Sequence, residues 1–367
     1  MKSEGKHRAR KSGDTGRGLS SYEVTEVLRA YNVGKLQFTR PGAGTASPAV
    51  IVVTNRGTFF LKRRNPRYCS RGQLNYDHSV VRHLAKSGLP VVTPVRTLDG
   101  SRWLEREESI YELYPFIVGK AAQLGNVDQV KAAGGLLGRF HRATEDFAPK
   151  GEKPQVRMHD PRATLAGLRE AGQELQTRQR RAEDPPERLD SWASQLAELE
   201  DTAHDILQRL PDAAYWGLPQ CVIHGDYHPA NLKYQGNEIV GLFDFDWVGK
   251  QPRMVDVADG LIFGCGVRKA PMDAGDIRAL TQTFRFDRAL LGSFGQGYGA
   301  EIEPTAEELR ALPDLLRARW LFCRVDAMQR KVAQRERLSY LLEDAGEPLA
   351  QISQLEEGLQ AGEWLRG

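Results

Sequence analysis

The first clear periodicity in the chain is helical. Between Ser20 and Tyr31, the residues Val24, Val27, Leu28 and Tyr31 form one apolar stripe, and Ser20 with Glu23 has the pattern of a capping box. The period then shortens. Lys35–Arg40, Ala49–Thr54 and Thr58–Arg63 are short runs rich in β-branched and aromatic residues, parted by PGAGTASP and by Asn55-Arg56-Gly57. They predict a meander of antiparallel strands. Helical spacing returns over Gln73–Ser87, with Val80, Val81 and Leu84 on its core face, and Gly88-Leu89-Pro90 ends it. Extended segments and a turn at Asp99-Gly100 lead to one more apolar strand within Ser109–Ile117. From there helices dominate. They are predicted over Val127–Ala143, around Arg162–Arg181 and Glu187–Leu210, over Asp273–Phe286 and Leu290–Gly299, over Thr305–Val332 with a capping box at Thr305 and Glu308, and through 335–367. Two short apolar strands, Cys221–Ile223 and Ile239–Phe243, interrupt them. The pattern is α+β: an antiparallel-sheet region at 20–116, then a mainly helical region at 117–367.

Composition narrows the class. The chain has 367 residues, 40% hydrophobic and 27% charged, with a net charge of +3. That is a globular composition with core enough for two sizeable regions. The balance is too weakly basic, and its basic residues too scattered, to indicate nucleic acid. No apolar run approaches the ~20 residues of a membrane helix, and the N-terminus lacks the apolar stretch of a secretory signal. Four cysteines, Cys69, Cys221, Cys265 and Cys323, lie far apart without metal spacing and suit a reducing cytoplasm. Residues 1–19 carry six Lys or Arg against two acids and predict a disordered basic tail.

The chemistry concentrates in CVIHGDYHPANLKYQGNEIVGLFDFDW, residues 221–247. Two apolar strands flank a polar turn holding His224, Asp226, His228 and Asn231, and the second strand runs into Asp244. Asp226 and Asn231 are five apart, and Asp244 lies eighteen beyond Asp226. Phosphoryl transfer explains these residue types. An attacking hydroxyl needs an acceptor for its proton, and Mg²⁺ needs hard oxygen ligands while it bridges phosphate oxygens. Asp226 is then the base, and Asn231 and Asp244 are the metal ligands. Upstream, Gly42 and Gly44 in the loop Pro41–Pro48 would let the backbone approach a phosphate. Lys62 sits in an otherwise apolar strand, where a cation requires an anionic partner. ATP phosphates and a helix carboxylate would supply one, with Asp77 the candidate carboxylate and a plain surface charge its other reading. Asp246 is either a second metal contact or a turn residue.

The stretch resembles the aminoglycoside phosphotransferase/choline kinase family, whose signature is HGDxxxxN followed by a strand ending in Asp. The family is similar in fold to the protein kinases. The resemblance implies a two-lobed, protein-kinase-like fold: an N-lobe at 20–116 binds ATP, and a C-lobe at 117–367 carries catalysis and the acceptor. It implies the same roles for Asp226, Asn231 and Asp244, a bracing role for His224, and adenine recognition by backbone groups near Glu112–Tyr114. Asp256, in a D-[IVL]-A run, would hold the catalytic loop. At position 77 the family usually has Glu, one methylene longer. Looser spacing in YELYPF and GRFHRAT is similar to homoserine-kinase-type and spore-coat-associated members. The expectation is an ATP- and Mg²⁺-dependent phosphotransferase acting on a small-molecule hydroxyl of amino-alcohol, sugar or aminoglycoside type. A silent kinase-fold scaffold or coat protein, and a protein Ser/Thr kinase, are the competing readings. The second of these is disfavoured by the nine residues Val248–Asp256, a short span in which to dock a polypeptide.

Overall fold

The structure, a computed structural model, describes residues 18–42, 48–66, 69–270, 272 and 276–366. The expected tail falls almost wholly outside them, as does Gly44. The chain forms two compact units, one of residues up to 69 together with 94–116, the other of 70–93 together with 117 onward.

The first unit is a five-stranded antiparallel sheet, in the order β1-β2-β3-β5-β4, with one helix against it. Helix α1 (Ser21–Leu28) starts at Ser20, whose side chain accepts from the Glu23 amide while Glu23 reaches back to the Ser20 amide. The strands are β1 (Leu36–Pro41), β2 (Ala49–Thr54), β3 (Gly57–Arg63), β4 (Leu104–Arg106) and β5 (Ser109–Pro115). Val24, Val27 and Leu28 of α1 pack on Val50, Val52, Leu61, Tyr111 and Leu113 in one apolar core. Side chains alternate along a strand, so Phe60 and Lys62 leave β3 by the face away from α1. There they stand across from Tyr114 and Glu112. Glu112 is fully buried and paired at 3.0 Å with the buried Arg64, and the Tyr114 hydroxyl donates to it at 2.8 Å.

The second unit is mainly helical around a single large core. It contains α2 (Arg71–Lys86), capped by Ser70 and Gln73, so the helix expected in the N-terminal region packs here instead. Its apolar face, with Val80, Val81 and Leu84, belongs to the core that also buries Leu136 and Phe140 of α3 (Val127–Thr144). Next come α4 (Pro161–Arg181), α5 (Pro186–Arg209) and α6 (Asp212–Gly217). Two ladders follow. In one, β6 (Gln220–Ile223) pairs antiparallel with β9 (Gly249–Pro252); in the other, β7 (Leu232–Gln235) pairs antiparallel with β8 (Glu238–Leu242). Helix α7 (Met254–Cys265) is buried almost throughout. The helix expected over Asp273–Phe286 does not form across its described part. A single turn, α8 (Ile277–Leu280), gives way to β11 (Phe284–Phe286), which pairs with β10 (Gly266–Arg268). Phe284 and Phe286 alternate with period two, and pairing with β10 outweighs the helical spacing of the residues before them. The unit ends with α9 (Arg288–Gly299), the 26-residue α10 (Ala306–Lys331), α11 (Arg337–Leu342) and α12 (Gly346–Gln360). No helix among the described residues is long and apolar enough to cross a membrane.

Candidate active site

Strand β6 delivers the chain at Ile223 into a turn built on one buried carboxylate. Asp256, on the first turn of α7, is fully buried. Its two oxygens accept from the His224 amide at 2.6 Å and the Gly225 amide at 2.7 Å, and His141 Nε2 of α3 lies 3.3 Å away. Gly225 has φ +79, and a Cβ there would stand 2.5 Å from the Trp247 carbonyl oxygen. Only glycine fits this turn. The His224 ring then reaches across, its Nε2 donating to the Phe243 carbonyl at 2.8 Å. The bracing roles expected of His224 and Asp256 therefore have a geometry: one carboxylate fixes two amides, and one imidazole ties the loop to the end of β8.

Asp226, the next residue, presents its carboxylate between Arg319 and His228. Arg319 Nη2 is 3.4 Å from one oxygen and His228 Nε2 is 3.3 Å from the other. Burial works to raise the Asp226 carboxyl, but His228, Arg319 and His224 outweigh it and hold it below the usual carboxylate range. The converse acts on His228. Burial disfavours its charge, yet the facing Asp226 lifts it above the ordinary histidine value. Arg319 comes from α10, where nothing in the sequence pattern singles it out. It also ion-pairs in close contact with Asp259 of α7 and lies over the Phe263 ring, 4.9 Å from its centroid. Burial pushes the Asp259 carboxyl up to about 7 against the pull of Arg319, and Asp226 and Asp256 add to the rise. His159 stands beside this group with φ +51, its ring 5.0 Å from that of Phe322. Burial and then Arg319 drive it well below the ordinary histidine value.

Asn231 closes the turn. Its Nδ2 donates to the Asp226 carbonyl at 2.8 Å, which fixes the amide plane. The Asn231 carbonyl accepts from the Phe243 amide at 3.0 Å, and Leu232 pairs with Leu242. These two links bring Asp244, the residue after Phe243, alongside Asn231. Asp244 is exposed and has a left-handed backbone, φ 64 and ψ 71, which a non-glycine residue adopts only when its surroundings impose it. Asp246 is buried. The structure thus brings Asp226, Asn231 and Asp244 into one group.

The remaining expected residues lie in two places. Asp77 is in the second unit, 2% exposed, and accepts from Lys153 Nζ at 2.8 Å. Lys62, Glu112, Tyr114 and Gly42 belong to the first unit. The Gly42 amide donates to the Ala49 carbonyl at 3.1 Å. The backbone near Glu112–Tyr114, expected to meet adenine, lies in β5. The Leu113 carbonyl accepts from Val95, while Glu112 and Tyr114 stand opposite Lys62 and Phe60 in the β3–β5 ladder. An antiparallel strand alternates its bonding sides, so these residues turn their amides and carbonyls to β3.

A divalent cation fits the donor set at Asn231 and Asp244. With Nδ2 engaged, the Asn231 amide keeps its oxygen as one hard donor, and the Asp244 carboxylate would be a second. No cluster of three or more His, Cys, Asp or Glu among the described residues could hold a metal alone.

The comparisons with known proteins agree in kind. A homoserine kinase of Rhodopseudomonas palustris is 27% identical over 300 residues, covering 82% of this chain and 81% of its own. One of Beijerinckia indica is 27% identical over 302 residues, covering 82% of each chain. Among solved structures, an aminoglycoside phosphotransferase from Alicyclobacillus acidocaldarius superposes with a TM-score of 0.67 at 18% identity, over 96% of this chain and 100% of that one. A microcompartment-associated aminopropanol kinase gives 0.66 at 16%, over 93% and 99%. The amicoumacin kinase hAmiN, in complex with AMP-PNP, Ca²⁺ and its antibiotic, gives 0.60 at 17%, over 92% and 93%. These likenesses show a kinase-like fold. The model of the phosphotransferase enzyme family matches residues 37–312, a span that includes Asp226, Asn231 and Asp244, and the chain belongs to that family.

Proposed function

We propose that this protein transfers the γ-phosphoryl group of ATP to a hydroxyl of a small molecule, and that the acceptor is an amino alcohol. The observation that carries the reading is the Asn231 side chain. Its nitrogen donates to the Asp226 carbonyl, which leaves the amide oxygen as the hard donor, and the Asn231 backbone carbonyl anchors the strand end bearing Asp244. Asp226 accepts the proton of the acceptor hydroxyl. A carboxylate held below its usual range is a weak base, but phosphoryl transfer through a loose transition state calls for little proton abstraction before the phosphorus–oxygen bond forms. Asp226 therefore acts chiefly by holding the hydroxyl in line. Arg319 and His228 keep it ionised. Asn231 and Asp244 would hold Mg²⁺, which supplies charge neutralisation at the β- and γ-phosphates when bound. Lys62 orients the α- and β-phosphates. The amino-alcohol class is supported by relatives named for homoserine and a structure named for aminopropanol. A cytoplasmic setting, where ATP is abundant and buried thiols such as Cys221 and Cys265 stay reduced, fits the reading.

The test is ADP release with MgATP across a panel of amino alcohols, sugars and aminoglycosides, run beside Asp226→Asn. We expect turnover with amino alcohols and at least a hundredfold loss in the variant, with nucleotide affinity retained. Full turnover by Asp226→Asn would remove the base assignment. No thermal shift with MgATP in the wild type would favour a silent scaffold.

A further inference from the structure

The segment that follows Asp244 is held by a side chain that neither the motif nor the reaction requires. Lys153 lies in the stretch before α4, about ninety residues earlier in the chain. Its ammonium donates to the Asp246 carbonyl at 2.7 Å and the Val248 carbonyl at 2.8 Å, as well as to Asp77 Oδ1 of α2 at 2.8 Å. It is 11% exposed, and the Tyr76 ring lies 5.9 Å away on the same helix. Between the two bonded carbonyls, the Trp247 carbonyl packs against Gly225 of the catalytic turn. Three successive carbonyls thus have fixed contacts on two sides. Two face a cation, and one faces the turn that presents Asp226.

We propose that Lys153 is a positioning residue for the metal-binding carboxylate, clamping residues 246–248 to α2 so that Asp244 is held in its left-handed conformation. The inference rests on the phosphotransferase reading above, in which Asp244 is a metal ligand. The physical argument is local. Asp244 has φ 64 without being glycine, a left-handed conformation that carries a cost and is favoured where the flanking backbone is fixed on both sides. On its N-terminal side Phe243 is fixed twice, by the Asn231 carbonyl and by His224 Nε2. On its C-terminal side the corresponding fixtures are the two carbonyl bonds to Lys153. Asp77 compensates the ammonium and aims it. The geometry of the carboxylate therefore depends on an ion pair formed within the second unit.

The test is the Mg²⁺ requirement of nucleotide binding, read without any acceptor. Thermal shift and calorimetry are run with ATP alone, then with ATP and increasing Mg²⁺, on wild type, Lys153→Met and Lys153→Arg. Loss of a group that supports a metal ligand costs ~10- to 100-fold in metal affinity. The expected result is a rise of that size in half-saturating Mg²⁺ for Lys153→Met, little change in binding of metal-free ATP, and partial recovery in Lys153→Arg. Equal Mg²⁺ midpoints in wild type and Lys153→Met would overturn the proposal. If Lys153→Met does not fold, Lys153→Gln, which loses the charge and keeps part of the hydrogen bonding, decides by the same midpoint. A wild type that ignores MgATP altogether overturns the phosphotransferase reading instead, so the two failures are distinct.

Discussion

Replacing Asp256 by asparagine changes one atom at the point where the catalytic turn is fixed. In the native chain, one oxygen accepts from the His224 amide at 2.6 Å, with His141 Nε2 at 3.3 Å, and the other accepts from the Gly225 amide at 2.7 Å. The site is fully buried. An asparagine can keep one acceptor, so whichever way its amide is turned, an NH₂ group meets a backbone N–H. The bond that survives also loses its charge assistance. A buried unsatisfied donor costs about 1–3 kcal/mol, and the change from a charged to a neutral acceptor costs about 1 kcal/mol more. We expect Asp256→Asn to lose about 2–4 kcal/mol, read as a lowered urea midpoint at unchanged slope. Turnover should also fall, because Gly225 is the residue before Asp226, and a displacement of about 1 Å at a reacting group can cost ~10²-fold. A stability change below about 1 kcal/mol with normal turnover would refute the claim that this carboxylate holds the turn.

Two other expectations come from charges the structure pairs. In the first unit Arg64 and Glu112 are buried together, so Arg64→Met alone should cost about 3–5 kcal/mol by breaking a buried ion pair from one side. Arg64→Met with Glu112→Leu should recover much of that loss, and a double-mutant cycle by urea denaturation checks it. In the second unit the His228 value is raised in the fold, so its stabilising contribution is complete below the unfolded value of about 6.5 and is lost as pH rises through the folded value. Urea midpoints from pH 6 upward should therefore fall more steeply in wild type than in His228→Gln, and identical slopes would refute the pairing with Asp226. Asp226, shifted the opposite way, has its contribution complete above the unfolded value of about 3.9 and loses it as pH falls from there towards its depressed value, so no loss from it is expected between about pH 5 and 7.

The parts of this molecule that were legible in its sequence are those whose geometry is short-range. Asp226 and Asn231 are bonded across five residues of one turn, and Asp244 follows them through the hairpin of β7 and β8, so spacing carried the information. The α1 capping box and the apolar stripe of α2 are local in the same sense. Strand β9 was not legible. Gly249-Lys250-Gln251-Pro252 contains no strong strand former, and it is a strand because β6 pairs with it, an instance of context overriding propensity. Arg319 was hidden for another reason. It lies 93 residues from Asp226, inside a helix whose other arginines have structural partners, and only the packing of α10 on α7 brings it to the site. Lys153 was hidden as well: helical phase shows that Asp77 faces inward but cannot name what reaches it from a loop without periodicity, which is where Lys153 lies.

The bonds that shape the catalytic group share a feature that bears on how such a site can change acceptors. Asp256 binds the amides of residues 224 and 225, His224 and Lys153 bind carbonyls at 243, 246 and 248, and Asn231 binds the carbonyl of 226. Each holds backbone rather than a reacting side chain. Asp226 is contacted through its own carboxylate only by Arg319 and His228 among these residues, and both also adjust its charge. The frame is thus separable from the chemistry. Substitutions in the frame should lower stability and turnover together, whereas a change at the Asp226 carboxylate should lower turnover while the fold stays close to native. Residues that take no part in these bonds, with His159 beside Arg319 and Asp226 an instance, can then vary without disturbing the turn that carries Asp226.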